Sequence, residues 1–254
     1  MIFNWLRRPP PRPVSSAAFA IPPGQRVYAV GDIHGACKLL VEMQGMIRDD
    51  LRAFPVRDAS LVYLGDYIDR GEHSREVVEN LLTPPAFLPH ATMLRGNHEQ
   101  TLLDCLTDPE RLANWRNFGA VETLLSYGVD PALLRNRSDQ GEAIAQLRAN
   151  MPAAHLAFMN ELPLFTKVGG YFFCHAGVRP GMPLARQIAQ DILWIRGEFL
   201  ESDEDHGACV VHGHTPASAP EVRHNRINVD TGACMSGKLT CVILEGETVR
   251  FLST

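Results

Sequence analysis

The chain has 254 residues, 45% hydrophobic and 21% charged, which is enough apolar material for one core, or for a core with a helical insertion. Its formal net charge is -5 with the two signs interspersed, so no positive field awaits a polyanion and general nucleic-acid binding is disfavoured. Six cysteines include no Cys-x-x-Cys pair and several lie in apolar runs, a pattern that suits a reducing cytosol and a cytoplasmic protein.

The opening apolar run around Phe3, Trp5 and Leu6 is far shorter than the roughly 20 residues of a membrane span. Arg7 and Arg8 follow that run rather than precede it, the reverse of a secretory signal. With Pro9-Pro10-Pro11-Arg12-Pro13 behind them, residues 1–23 read as a flexible or loosely docked tail that at most touches a membrane surface, without stable insertion. Residues 24–254 are expected to form one domain.

From Gln25 onward the pattern of strand, loop and helix is written three times. Residues 27–30 lead into Gly31-Asp32-Ile33-His34-Gly35 and then a helix over 38–50, where Leu39, Leu40, Met43, Met46 and Ile47 keep helical spacing. Residues 61–64 lead into Gly65-Asp66-Tyr67-Ile68-Asp69-Arg70-Gly71, with Ser74 as the expected N-cap of the next helix. Residues 91–94 lead into Arg95-Gly96-Asn97-His98-Glu99 and a third helix. This alternation predicts an α/β domain with polar residues gathered at the carboxyl ends of its strands. Residues 101–160 are helix-patterned and broken by Asp108-Pro109, Gly128 and Asp130-Pro131, which predicts a helical insertion. Strands are then expected over 164–168, 171–174, 208–212, 226–229, 239–244 and 248–252, joined by short glycine-bearing turns.

Five turns carry the chemistry: the three above, His175-Ala176-Gly177 and Gly213-His214-Thr215. Phosphate esters resist attack because their oxygens repel a nucleophile; divalent cations neutralise those oxygens and lower the pKa of water. Such a site calls for carboxylates, imidazoles and an amide oxygen presented from loops. Asp32 and His34 can aim at one ion, with Asp66 bridging to a second ion completed by Asn97, His175 and His214. His98 is the candidate general acid for the leaving oxygen, oriented by Asp69, which is expected to raise its pKa. Arg70 and Arg95 offer guanidinium forks for phosphate oxygens. His212 lies two before His214 and is expected by period-two alternation to point the same way.

In this order the five turns resemble the phosphoprotein phosphatase family of calcineurin-like metallophosphoesterases, over about residues 26–245. The resemblance implies a β-sandwich flanked by helices and a pair of divalent metal ions, manganese first, with iron or zinc as alternatives. It also implies that Asp32, His34, Asp66, Asn97, His175 and His214 bind those ions and that Asp69 and His98 form the acid pair. Asn114-Trp115-Arg116-Asn117-Phe118-Gly119 is similar to an insertion motif of the bacterial branch, although Phe118 stands where that branch usually shows glycine. Asp191-Ile192-Leu193-Trp194-Ile195-Arg196 is also similar, which makes Arg196 a candidate phosphate ligand. The carboxy-terminal signature of eukaryotic protein phosphatases is absent.

These features imply hydrolysis by a metal-activated water attacking phosphorus in line, with Arg70 and Arg196 holding the phosphoryl oxygens and no phosphoenzyme. Serine/threonine protein dephosphorylation is the first expectation and hydrolysis of dinucleoside polyphosphates such as diadenosine tetraphosphate its rival, so the partner is a phosphorylated protein or a small phosphorylated substrate. A catalytically inactive metal-binding scaffold is the alternative of another class; decay of that kind should erode the acid pair first, and Asp69 and His98 both remain.

Overall fold

The computed structural model describes residues 19–88 and 90–254. Strands β1 (Gln25–Val30), β2 (Asp58–Tyr63) and β3 (Ala91–Met93) run parallel, and β4 (Phe165–Val168), β5 (Tyr171–Cys174), β6 (Cys209–His212), β7 (Glu221–Val222) and β8 (Arg226–Asn228) form a second sheet. The chain then returns to the first sheet as β9 (Thr240–Glu245) and β10 (Thr248–Ser253), giving the orders β10-β9-β1-β2-β3 and β4-β5-β6-β8-β7. This is the calcineurin-like phosphoesterase fold expected from the sequence, two mixed sheets flanked by helices.

Period-two alternation builds the layers. On β1, Val27 and Ala29 face the space between the sheets with Phe173, Val211 and Ile227, while Tyr28 and Val30 face the helices. Helix α1 (Cys37–Ala53) buries Leu40, Met43 and Ile47 on that outer side and ends at Phe54, just before Pro55, where the α conformation is disfavoured. Helices α2 (Ser74–Leu81) and α3 (Asn97–Thr107) follow β2 and β3. The predicted insertion is α4 (Leu112–Trp115), α5 (Ala120–Ser126), α6 (Gln140–Asn150) and α7 (Ala153–Glu161), sharing its core with α1 and α2. Helices α8 (Ala189–Trp194) and α9 (Gly197–Leu200) cover the second sheet through Ile192 and Phe199, and α10 (Ala233–Ser236) precedes β9.

β1, β2 and β3 end at the first three turns; β5 and β6, parallel in the other sheet, end at His175 and Gly213-His214. The five turns therefore belong to strand ends of both halves of the sandwich. Parallel pairing explains this grouping, because every parallel strand delivers its carboxyl end to the same edge.

Two expectations are corrected. Ser74 opens α2 but does not cap it: its hydroxyl accepts the Asp69 N–H at 3.1 Å, because the preceding loop has its own donor to satisfy. Residues 19–23, assigned to the tail, are docked. Ile21 is 1% exposed within the inter-sheet core, its N–H donates to the Gly246 carbonyl at 2.9 Å, and the Ala20 carbonyl accepts the Gly170 N–H at 3.0 Å. One short segment thus joins the β9–β10 turn to the β4–β5 turn. The proposed membrane contact of Phe3, Trp5 and Leu6 lies outside the described residues, among which no helix is long and apolar enough to cross a membrane. Replacing Ile21 by alanine is expected to cost about 2–5 kcal/mol, read as a lower urea midpoint at unchanged slope; an unmoved midpoint would show that the segment is not part of the cooperative fold.

Candidate active site and metal centre

The first two turns are tied together through main chain. The Asp66 carbonyl accepts the N–H groups of Ile33 and His34 at 3.1 and 2.8 Å, and the Tyr67 carbonyl accepts that of Gly35 at 2.9 Å. Gly35 and Gly71 meet so closely that a Cβ on Gly35 would lie 2.4 Å from the Gly71 carbonyl oxygen, which explains both glycines. The third turn joins through Glu99. Its Oε2 accepts the N–H groups of Asp66 and Gly96, both at 2.9 Å, and its Oε1 those of Tyr67 at 2.8 Å and Ile68 at 3.3 Å. Glu99 was legible only as the last residue of its turn; four backbone donors on one buried carboxylate give it a positioning role that residue type alone does not reveal.

Asp66 is the hub. His34, His98 and His175 approach its carboxylate to 3.5, 3.6 and 3.4 Å. Two buried triads result, His34–Asp66–His98 and Asp66–His175–His214, each with its ligand atoms within 4.8 Å of one another. The Asn97 amide oxygen lies 2.8 Å from His175 Nε2 and 2.9 Å from His214 Nδ1. Asp32 joins neither triad, but it borders them: its carboxylate accepts the His214 N–H at 3.2 and 3.1 Å and feels the charge of Asp66. All six sequence-predicted ligands are thus buried in one place.

Tautomers follow from elementary rules. A carbonyl can only accept, so His34 Nδ1–H donates to Ile68 at 2.8 Å and His175 Nδ1–H to Leu64 at 2.9 Å. Each ring therefore turns a bare Nε2 lone pair inward, the orientation a metal ligand needs. Burial pushes both imidazoles down, His175 to about 3 and His34 well below its ordinary value, so they are neutral donors. Among the described residues, buried His214 Nε2 has no hydrogen-bond partner. Burial first, then Asp230 and Asp66, lifts the Asp32 carboxyl; burial first, then Glu99, lifts Asp66. Crowded carboxylates, neutral imidazoles and an amide oxygen are the oxygen and nitrogen set that a divalent cation would satisfy.

Asp69 is fully buried and accepts from three side chains: His98 Nδ1 at 2.6 Å, the Trp115 indole at 2.7 Å and the Thr123 hydroxyl at 2.6 Å. The acid pair expected from sequence is therefore in contact, with Trp115 and Thr123 of the insertion as unforeseen supports. One expectation reverses. Burial, then the charges of Arg70 and Arg196, lowers His98 to about 3, while burial raises Asp69 to about 7 against its hydrogen bonds from Thr123 and Trp115. Desolvation outweighs the carboxylate because both groups are out of water.

Arg70 is exposed at its tip and reaches His34 Nε2 at 2.9 Å and His98 Nε2 at 3.5 Å. Arg196 is exposed at the start of α9; burial first lowers His98, His175 and His214, and the charge of Arg196 adds to it. Arg95 does not face the centre: it donates to Gln100 and to the Met159 and Asn160 carbonyls, fastening α7 to the third turn. His212 also departs from expectation, packing edge-on against Phe199 with ring centroids 5.0 Å apart. The left-handed φ of 67° at His214 breaks the alternation that would have aligned the two rings.

The calcineurin-like phosphoesterase model matches residues 25–241, most of the chain. The chain belongs to that family. It is 24% identical to the asymmetrical bis(5'-nucleosyl)-tetraphosphatase PrpE of Bacillus thuringiensis strain Al Hakam, over 89% of this chain and 93% of the relative. The PrpE of Anoxybacillus flavithermus is 23% identical, with the same two coverages of 89% and 93%. Among solved structures, that of a candidate diadenosine tetraphosphatase superposes with a TM-score of 0.62 at 19% identity, covering 92% of this chain and 98% of the other. A serine/threonine phosphatase of Saccharomyces cerevisiae gives 0.53 at 15% identity, covering 91% and 80%, a likeness of fold. This phosphoesterase membership accounts for the two triads on Asp66.

Glu99→Gln should turn an NH₂ toward two backbone N–H groups. The expected loss is about 1–3 kcal/mol for each orphaned group, with weaker Mn²⁺ uptake by calorimetry. A variant as stable and as metal-avid as the parent would refute the positioning role.

Proposed function

We propose that this chain hydrolyses dinucleoside polyphosphates of the bis(5'-nucleosyl) tetraphosphate class, using two divalent metal ions, manganese first and iron or zinc as alternatives. The near full-length match to bis(5'-nucleosyl)-tetraphosphatases carries the choice of substrate. Protein phosphoserine and phosphothreonine remain the second reading, supported by the insertion segment around Trp115 and by the segment from Asp191 to Arg196.

In this reading Asp32, His34, Asp66, Asn97, His175 and His214 hold the ions. When bound, the ions neutralise phosphate oxygens and lower the pKa of water. Arg70 and Arg196 hold the phosphoryl oxygens, their guanidinium groups being free of any carboxylate partner among the described residues. His98 delivers a proton from Nε2 to the leaving oxygen, its ring fixed by Asp69 at Nδ1. The charge of an arriving phosphate opposes that of Arg70 and Arg196, which favours the protonated ring that the free site disfavours.

The chain loaded with Mn²⁺ should cleave diadenosine tetraphosphate with kcat/KM at least about tenfold above a phosphoserine peptide, a difference of about 1.4 kcal/mol in transition-state binding. The opposite order would favour the second reading. Chromatography of the products reports the cut: AMP and ATP from off-centre attack, two ADP from central attack. His98→Asn should lower kcat on the order of 10²–10⁴-fold with metal content unchanged by elemental analysis; full activity in that variant removes His98 as the acid.

A further inference from the structure

Beside the metal centre lies a cavity of about 350 Å³ between the helical insertion and α8, lined by Asp104, Arg111, Asn114, Phe118, Gln190 and Trp194. Its size is at the lower end for small-molecule sites, enough for one planar ring system with its sugar entering from the open side. Phe118 and Trp194 form its aromatic wall, their centroids 5.9 Å apart and their planes tilted by 56°. The same rings neighbour the centre: the ring centroids of Phe118 and His98 are 6.0 Å apart and those of Trp194 and His214 6.3 Å apart. Cavity and metal centre are thus the two sides of one wall, a single side chain thick.

We propose that this cavity binds the adenine base of a nucleoside polyphosphate whose phosphate chain enters the metal centre. The inference rests on the nucleotide reading above and adds the residues that recognise the base. An exposed aromatic face stacks a base without regard to sequence, so a second feature must choose among bases. Asn and Gln amides match the amino group and ring nitrogen of adenine, whereas a guanidinium fork matches the two acceptors of guanine. The Asn114 and Gln190 amides make no hydrogen bond among the described residues, and Arg111 is committed to Asp104 at 3.1 Å and Asp108 at 3.2 Å. The available polar groups are therefore the adenine-matching ones. The carboxylate of Asp104, already answering Arg111 and Gln100, would repel a second phosphate and keeps the cavity for the uncharged end of the substrate.

The test uses the metal-loaded full chain and separates the base pocket from the chemistry. Trp194→Ala should raise KM for diadenosine tetraphosphate by about 5- to 100-fold, as loss of one stacking partner does, and should lower kcat/KM for p-nitrophenyl phosphate by a much smaller factor. Trp194→Phe should recover most of the loss. Asn114→Ala with Gln190→Ala should erase the preference for diadenosine over diguanosine tetraphosphate and spare p-nitrophenyl phosphate. In the wild type, AMP should quench Trp194 fluorescence saturably and ribose 5-phosphate should not. Equal loss on both substrates, an unchanged KM in Trp194→Ala, or equal quenching by AMP and ribose 5-phosphate would each overturn the pocket. A wild-type chain that binds AMP in this way yet cleaves only phosphopeptide would keep the pocket and defeat the substrate reading.

Discussion

The site depends on one buried carboxylate that binds no substrate. Glu99 accepts N–H groups from Gly96 and from three successive residues of the second turn, and that turn in turn receives the first through the Asp66 and Tyr67 carbonyls. Three loops that could each wander are fixed as one rigid unit, with Asp66 and Asn97 held on either side of the carboxylate. Hydrogen bonds to an ionised acceptor are the stronger kind. Burial pushes Glu99 up to about 7, and the bonds from Tyr67, Asp66 and Gly96 oppose it. Such a group is costly to bury, and its retention makes sense where ligand atoms must be placed to fractions of an ångström.

The second sheet supplies its ligands by a different route. His175 is positioned by its ring N–H donating to the Leu64 carbonyl and His214 by its backbone N–H donating to the Asp32 carboxylate, both on the opposite half of the sandwich. The two halves are consequently cross-tied at the centre itself. The candidate acid His98, by contrast, leans on the insertion: Trp115 and Thr123 reach across to Asp69, so helices that look peripheral in the topology fix the carboxylate that its ring contacts.

Much of this was readable in the residues. Strand, loop and helix in succession placed the first three turns at carboxyl ends, and period-two burial followed β1 as written. The six candidate ligands and the candidate acid pair are legible because their residue types and order match one chemistry. What escaped was whatever depends on approach in space. Glu99 is an unremarkable helix-start glutamate until four amides point at it. Arg95 has the composition of a phosphate ligand and the geometry of a fastener. His212 follows a strand rule that the backbone of His214 breaks. For His98, sequence order shows a neighbouring carboxylate but not the burial that lowers the imidazole. Phe118, a departure from the bacterial motif, gained meaning only when it met Trp194.

Among the described residues, five other than glycine hold φ in the left-handed region, His34 at 47°, Asp66 at 54°, Asp69 at 72°, and Arg70 and His214 at 67° each. All five belong to the centre, and a side chain in that conformation costs about 1–2 kcal/mol relative to the right-handed basin. Glycine would relieve this strain at each position while deleting the functional group. Selection for heat resistance alone would therefore drift toward relaxed, inert molecules. Any programme of stabilisation has to begin outside these loops and screen turnover alongside melting temperature.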